Sequence, residues 1–260
     1  MAVNSVSMSP AVRAALQRAA GSTGMDFQVL AETARRESGY NAGAKAPTSS
    51  ATGMFQFIES TWLDMVRRYG AEHGLGAAAQ QISLINGRAS VADPAARKAI
   101  LDLRYDPEIS ARMAGELAHE NATALQTRLG RAPTPGEIYA AHVLGPAGAG
   151  RLIEAAQQGA PDASTLFPRE AAANAWLFKE NGVPRSAQAL LARLDIAADA
   201  VTAPSPATGK GRIDVANADG PTVAAFFDAM FQALAHDLLA PDNNADPLRA
   251  AAAYARVQSD

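Results

Sequence analysis

Apolar residues recur at helical spacing through most of the first 195 positions, and capping signals punctuate them. Ser9-Pro10 opens a helix predicted to reach Ala20. Asp26 caps a second, with Phe27, Leu30, Ala31 and Ala34 on its apolar positions and Gly39 at its end. Ser60 is the predicted cap of a helix that stops at Gly70. Asp93-Pro94 and Asp106-Pro107 each pair a cap with proline at the first helical position, and Thr134-Pro135-Gly136-Glu137 adds a capping box. Pro146, Pro168 and Ser186 begin three more. Strand signals are scarce, and no internal repeat is visible. The expected fold class is mainly α.

From Ala197 to Gly220 the composition shifts, and Ala203-Pro204-Ser205-Pro206 to Gly211 reads as a flexible linker. Pro221 then starts an amphipathic helix on which Phe227, Met230, Phe231 and Leu234 line one stripe. That helix, 221–239, either docks back on the main domain or binds an assembly partner. Residues 241–260 read as a frayed acidic end. The expected division is a domain over 1–196, a linker over 197–220 and a C-terminal helix and tail over 221–260.

One carboxylate stands out. Glu37 follows Leu30 by seven residues and Ala34 by three, so it shares their apolar helix face. Burial there raises a carboxyl pKa, and the last helical turn disfavours negative charge. Both effects favour the protonated state that a general acid needs. A helix-terminal Glu that is solvated, or paired with Arg35 or Arg36, is the plainer alternative.

Around this acid the chain resembles a known family. The run from Glu37 to Trp62 is similar to the signature of the soluble lytic transglycosylases, lysozyme-like enzymes that cut bacterial peptidoglycan. Glu37-Ser38, Tyr40-Asn41, Ser49, Gly53, Gln56 and Thr61 fall in the matching places, and the family's Gly-Leu-Met-Gln reads Gly53-Met54-Phe55-Gln56. Asp106 to Gly115 resembles a later helix of the family, with Ser110 where Asn is usual. Tyr139 to Pro146 resembles its Ala-Ala-Tyr-Asn-Ala-Gly-Pro segment, with His142 in the Tyr position and Val143 in the Asn position. Val143 offers no hydrogen bond to a sugar. The resemblance spans roughly residues 20–185 and is strong only in its first third.

The resemblance implies a lysozyme-like α domain with a short irregular hairpin within residues 40–58. It implies Glu37 as the catalytic acid, then base, in cleaving the bond between N-acetylmuramic acid and N-acetylglucosamine, with a 1,6-anhydro product. Glu59 and Asp64 lie nearby, but the family needs no second carboxylate. Ser38, Tyr40, Ser49, Met54, Phe55, Gln56, Tyr139 and His142 are the candidate substrate-binding residues. For Ser38 the alternative is tying down the helix end; for Gln56, fixing the loop; for His142, a structural histidine. Tyr40 either stiffens the loop or stacks on a sugar face. Phe57, Trp62 and Trp176 read as core. A muramidase of the same fold and a catalytically silent wall-binding component remain open alternatives.

Composition changes this picture little. The 260 residues include 48% hydrophobic positions and carry a net charge of −3, which leaves no nucleic-acid footprint. Through residue 195 there are 19 basic and 18 acidic side chains, against 4 and 8 afterwards, so the main domain is +1 and the remainder −4. No cysteine is present, and His73, His119, His142 and His236 lack metal-ligand spacing, so neither metal nor cofactor is expected. The expected partners are peptidoglycan strands, with no nucleic acid and no membrane span. Met1 to Gly24 shows no secretory signal, which sits uneasily with the expected periplasm or cell-envelope location. A phage-, secretion- or flagellum-associated enzyme resolves that tension.

Overall fold

A computed structural model describes residues 7–47, 49–173 and 175–195. The predicted linker, the helix at 221–239 and the acidic tail lie outside these residues. The helices are α1 (Pro10–Thr23), α2 (Phe27–Ser38), α3 (Glu59–Tyr69), α4 (Gly76–Ala79), α5 (Pro94–Asp102), α6 (Pro107–Leu129), α7 (Pro135–Gln157), α8 (Pro168–Ala173), α9 (Ala175–Phe178) and α10 (Ala187–Leu194). Strands β1 (Ser83–Ile85) and β2 (Arg88–Ser90) form one antiparallel pair, and β3 (Lys179–Glu180) and β4 (Val183–Pro184) another. The described chain is therefore mainly α.

The caps act as their chemistry requires. Ser9 Oγ accepts from Val12 N at 3.2 Å, and Asp93 from Ala96 N at 2.6 Å. Asp106 accepts from both Glu108 N and Ile109 N, at 2.8 and 3.0 Å. The Thr134–Glu137 capping box is complete. Thr134→Ala is expected to destabilise the fold by about 1 kcal/mol, read from the urea midpoint at neutral pH.

Several boundaries differ from expectation. The first helix continues three residues past Ala20, until Gly24 turns left-handed at φ 71°. The third begins at Glu59, with Ile58 rather than Ser60 in the cap position and no side-chain cap bond. Pro146 does open a helix, as expected: Gly145 adopts the non-helical φ 69°, ψ 159°, so α7 is two helical segments joined at a kink. Among the described residues of 40–58, the expected irregular hairpin consists of two antiparallel bridges, Lys45–Thr52 and Thr52–Phe57. The paired strands lie elsewhere, around Asn86-Gly87 and Asn181-Gly182, where both central residues have positive φ. That is the twist-compatible two-residue hairpin turn which Asn-Gly favours.

The core is one cluster. The broadest interfaces are α1 on α6, α6 on α7 and α7 on α10, and α2 lies against α1, α6 and α7. Trp62 is fully buried and donates its indole N–H to Ile100 O at 2.7 Å, while Phe57 packs against it edge-on. Both residues are core, as expected. The end of α2 consequently projects into the middle of the helical packing.

Candidate functional site

Helix α2 is pinned at both ends. Asp26 accepts from Gln28 N at 2.6 Å. At the other end Gly39 is left-handed at φ 61°, its N–H meets Arg35 O at 2.9 Å, and Tyr40 N meets Ala34 O at 3.2 Å. The last turn, with Glu37 in it, is thereby held rigid. The Glu37 side chain has no solvent exposure.

Three groups surround that carboxyl. Tyr139 on α7 donates its hydroxyl to Glu37 Oε1 at 3.1 Å. His142, one turn further along α7, places Nε2 at 3.7 Å from the same oxygen. The Tyr139 and His142 rings stack at 5.9 Å and 19°. Arg36 lays its guanidinium over the Tyr139 ring at 4.9 Å and donates to Leu194 O and Asp195 O, which ties the cluster to the end of α10. Glu37 Oε2 is buried and has no hydrogen-bond partner among the described residues.

Burial pushes the Glu37 carboxyl well above its usual range, against smaller opposing effects of the Tyr139 hydrogen bond and the Arg36 charge. Burial likewise holds His142 down to about 4, although 18% of its side chain is exposed. At neutral pH the imidazole is thus neutral, and the 3.7 Å contact is not an ion pair. Burial raises Tyr139 well above the usual phenol range as well. Because Tyr139 occupies Oε1, a proton held by this carboxyl sits on Oε2.

The sign of the pH effect follows from linkage. The folded Glu37 holds its proton more tightly than the unfolded chain, whose carboxyl titrates near 4.5. Its stabilising contribution is complete below that pH and is lost as pH rises through the folded value. The urea midpoint of Glu37→Gln relative to wild type is expected to climb from pH 4 to pH 8. A flat difference would mean that the folded carboxyl ionises normally.

The loop that follows α2 is fastened to it. Ser38 Oγ donates to Met54 O at 2.8 Å and accepts from Asn41 N at 3.0 Å, so it ties down the helix end. Gln56 is buried, with φ 49°, and donates its amide to Gly53 O at 2.7 Å, which fixes the loop. Met54 is wholly buried; the tight turn at Gly53 tucks its side chain into the core, so it presents no groove wall. Phe55 is equally buried and, with Tyr139 and His142, borders a void of about 10 Å³, close to the smallest that holds one water. Tyr40 is half-buried at φ 65° and packs on the core. Ser49 Oγ accepts from Ala51 N at 3.0 Å and lines a different, larger cavity. Of the nine candidate residues, Glu37, Tyr139 and His142 form one polar cluster with Phe55 beside it, while Ser38 bonds Met54 on the loop. Val143 is fully buried, and the buried Ser110 Oγ has no partner among the described residues.

Sequence reasoning missed Arg104. Its guanidinium is buried and donates to Leu101 O, Ser50 O and Phe57 O at 2.9, 2.6 and 3.0 Å. Nothing in Ile100-Leu101-Asp102-Leu103-Arg104 signals that an arginine there folds inward. Arg36 was visible only as a possible partner of Glu37, not as the lid on Tyr139.

The chain matches no protein-family model. Among the described residues no helix is long and apolar enough to cross a membrane, and no group of three or more His, Cys, Asp or Glu side chains is placed to hold a metal ion.

Proposed function

We propose that the protein is a peptidoglycan lytic transglycosylase with a lysozyme-like fold, acting in the bacterial cell envelope. The observation that carries this reading is Glu37: a buried carboxyl whose pKa burial raises, with Oε1 bonded to Tyr139 and Oε2 without a partner among the described residues. Glu37 Oε2 gives its proton to the glycosidic oxygen as the bond to the anomeric carbon of N-acetylmuramic acid breaks. The sugar's own N-acetyl group stabilises the positive charge. The Glu37 carboxylate then takes the proton of the 6-hydroxyl, whose oxygen closes on the anomeric carbon. This gives the 1,6-anhydro sugar without water, and intramolecular attack gains from proximity. Because the carboxyl is enclosed, neighbouring side chains such as His142, the partly exposed one, must shift to admit a sugar.

Mass spectrometry of digested cell wall tests the chemistry. Anhydro-muramic ends are expected; reducing muramic ends would replace this reading with a hydrolytic muramidase. Tyr139→Phe removes a hydrogen bond that lowers the Glu37 pKa. The alkaline limb of the pH–rate profile, set by loss of the protonated acid, is therefore expected to move to higher pH.

The complete enclosure of Glu37 also favours a second reading, in which it is a structural acid and the protein binds wall without cutting it. Purified wild-type protein that binds peptidoglycan but releases no fragments would establish that alternative.

A further inference from the structure

A cavity of about 490 Å³ opens between Lys45, Ser49, Ser50, Thr52 and Glu59 and the face of α5 carrying Pro94, Arg97, Lys98 and Leu101. That size is in the range of small-molecule sites. None of Glu37, Tyr139 and His142 lines it. Four cations reach it, Lys45, Arg97, Lys98 and Arg104, against two carboxylates, Glu59 and Asp102. Arg97 pairs with Glu59, and Lys98 with Asp102. The positive excess therefore sits on Lys45, which forms no ion pair among the described residues, and on Arg104, which is bonded to backbone carbonyls only. At the rim, Tyr105 leaves 39% of its surface exposed, and Ser49 and Ser50 contribute to the wall.

This mixture selects among anions. A phosphate-rich polymer would meet repulsion from Glu59 and Asp102. A ligand carrying both carboxylates and N–H donors would satisfy both signs: its carboxylates on Lys45 and beside Arg97, its N–H groups on Glu59 and Asp102. We propose that this cavity binds an acidic peptide, which, resting on the transglycosylase reading, is the peptide stem of the wall polymer. The site then holds a stem while Glu37 faces a glycosidic bond, and it confers preference for peptide-bearing glycan over bare glycan.

The test uses full-length Glu37→Gln protein, so that no probe is consumed, in isothermal titration with three probes: free stem peptide, the same peptide with its carboxylates amidated, and stem-free glycan strands. The free peptide is expected to bind and the amidated one to bind about tenfold more weakly. Adding Lys45→Gln, at an exposed position, is expected to weaken peptide binding about fivefold and leave glycan binding unchanged. Higher salt is expected to weaken peptide binding. No peptide binding, equal binding of the amidated peptide, or equal binding by the lysine variant overturns the proposal. Circular dichroism checks that the variant is folded. The two ideas fail separately: product analysis that excludes transglycosylation leaves a peptide-binding site standing with a different peptide source, and wall cleavage without peptide binding removes only the site.

Discussion

Glu37→Gln is expected to lower the rate of wall lysis at least about a hundredfold, the lower end of what a positioned general acid contributes. The substitution is nearly isosteric. The amide oxygen still accepts from the Tyr139 hydroxyl, so the cluster with His142 and Arg36 keeps its packing. What disappears is the acidic proton on Oε2, since an amide N–H is far too weak an acid to protonate a leaving oxygen. The stability of the variant is expected to match wild type at pH 4 and exceed it at pH 8, because the amide has no charge to bury. A loss of lysis can therefore be separated from a loss of fold. Clearing of a cell-wall suspension at pH 6 measures the rate, and a variant that clears it as fast as wild type would exclude Glu37 as the acid.

Gly53→Ala is expected to cost about 2–5 kcal/mol of stability, combining left-handed backbone strain of about 1–2 kcal/mol with overpacking of about 1–3 kcal/mol. Gly53 has φ 81°, and a Cβ there would lie 2.0 Å from Arg104 O and 2.9 Å from Arg104 C. Those are backbone atoms of a segment whose own guanidinium is anchored to Ser50 O and Phe57 O, so they have nowhere to move. The urea midpoint reports the loss, and a midpoint close to wild type would mean that the loop packs differently on Arg104. Gly53 N also donates to Ala44 O at 2.8 Å, so the substitution disturbs the loop that Ser38 fastens to α2.

The legible parts of the molecule were the locally decided ones. Asp26 and Gly39 bracket α2 because a side-chain oxygen and a left-handed glycine satisfy helix ends within a few residues of chain. Asp93, Asp106, Thr134 and Ser186 likewise cap the starts of their helices with side-chain oxygens. The two Asn-Gly hairpins were equally local and were overlooked because neither is flanked by a long alternating pattern; Leu84 and Ile85 are both exposed. The irregular hairpin of 40–58 is legible only as far as its antiparallel bridges Lys45–Thr52 and Thr52–Phe57.

The amino-acid sequence by itself determined most of the longer helices, the caps at Ser9, Asp26, Asp93, Asp106, Thr134 and Ser186, and the face of α2 on which Glu37 lies, since these depend on spacing and on bonds between near neighbours. Only the tertiary structure decided that Glu37 is completely enclosed, that Tyr139 from 102 positions away bonds it, and that Met54 turns inward while Ser49 lines another cavity. Burial and partner choice depend on how α2, α7 and the 40–58 loop pack together, and no local pattern encodes contacts between segments so distant in the chain.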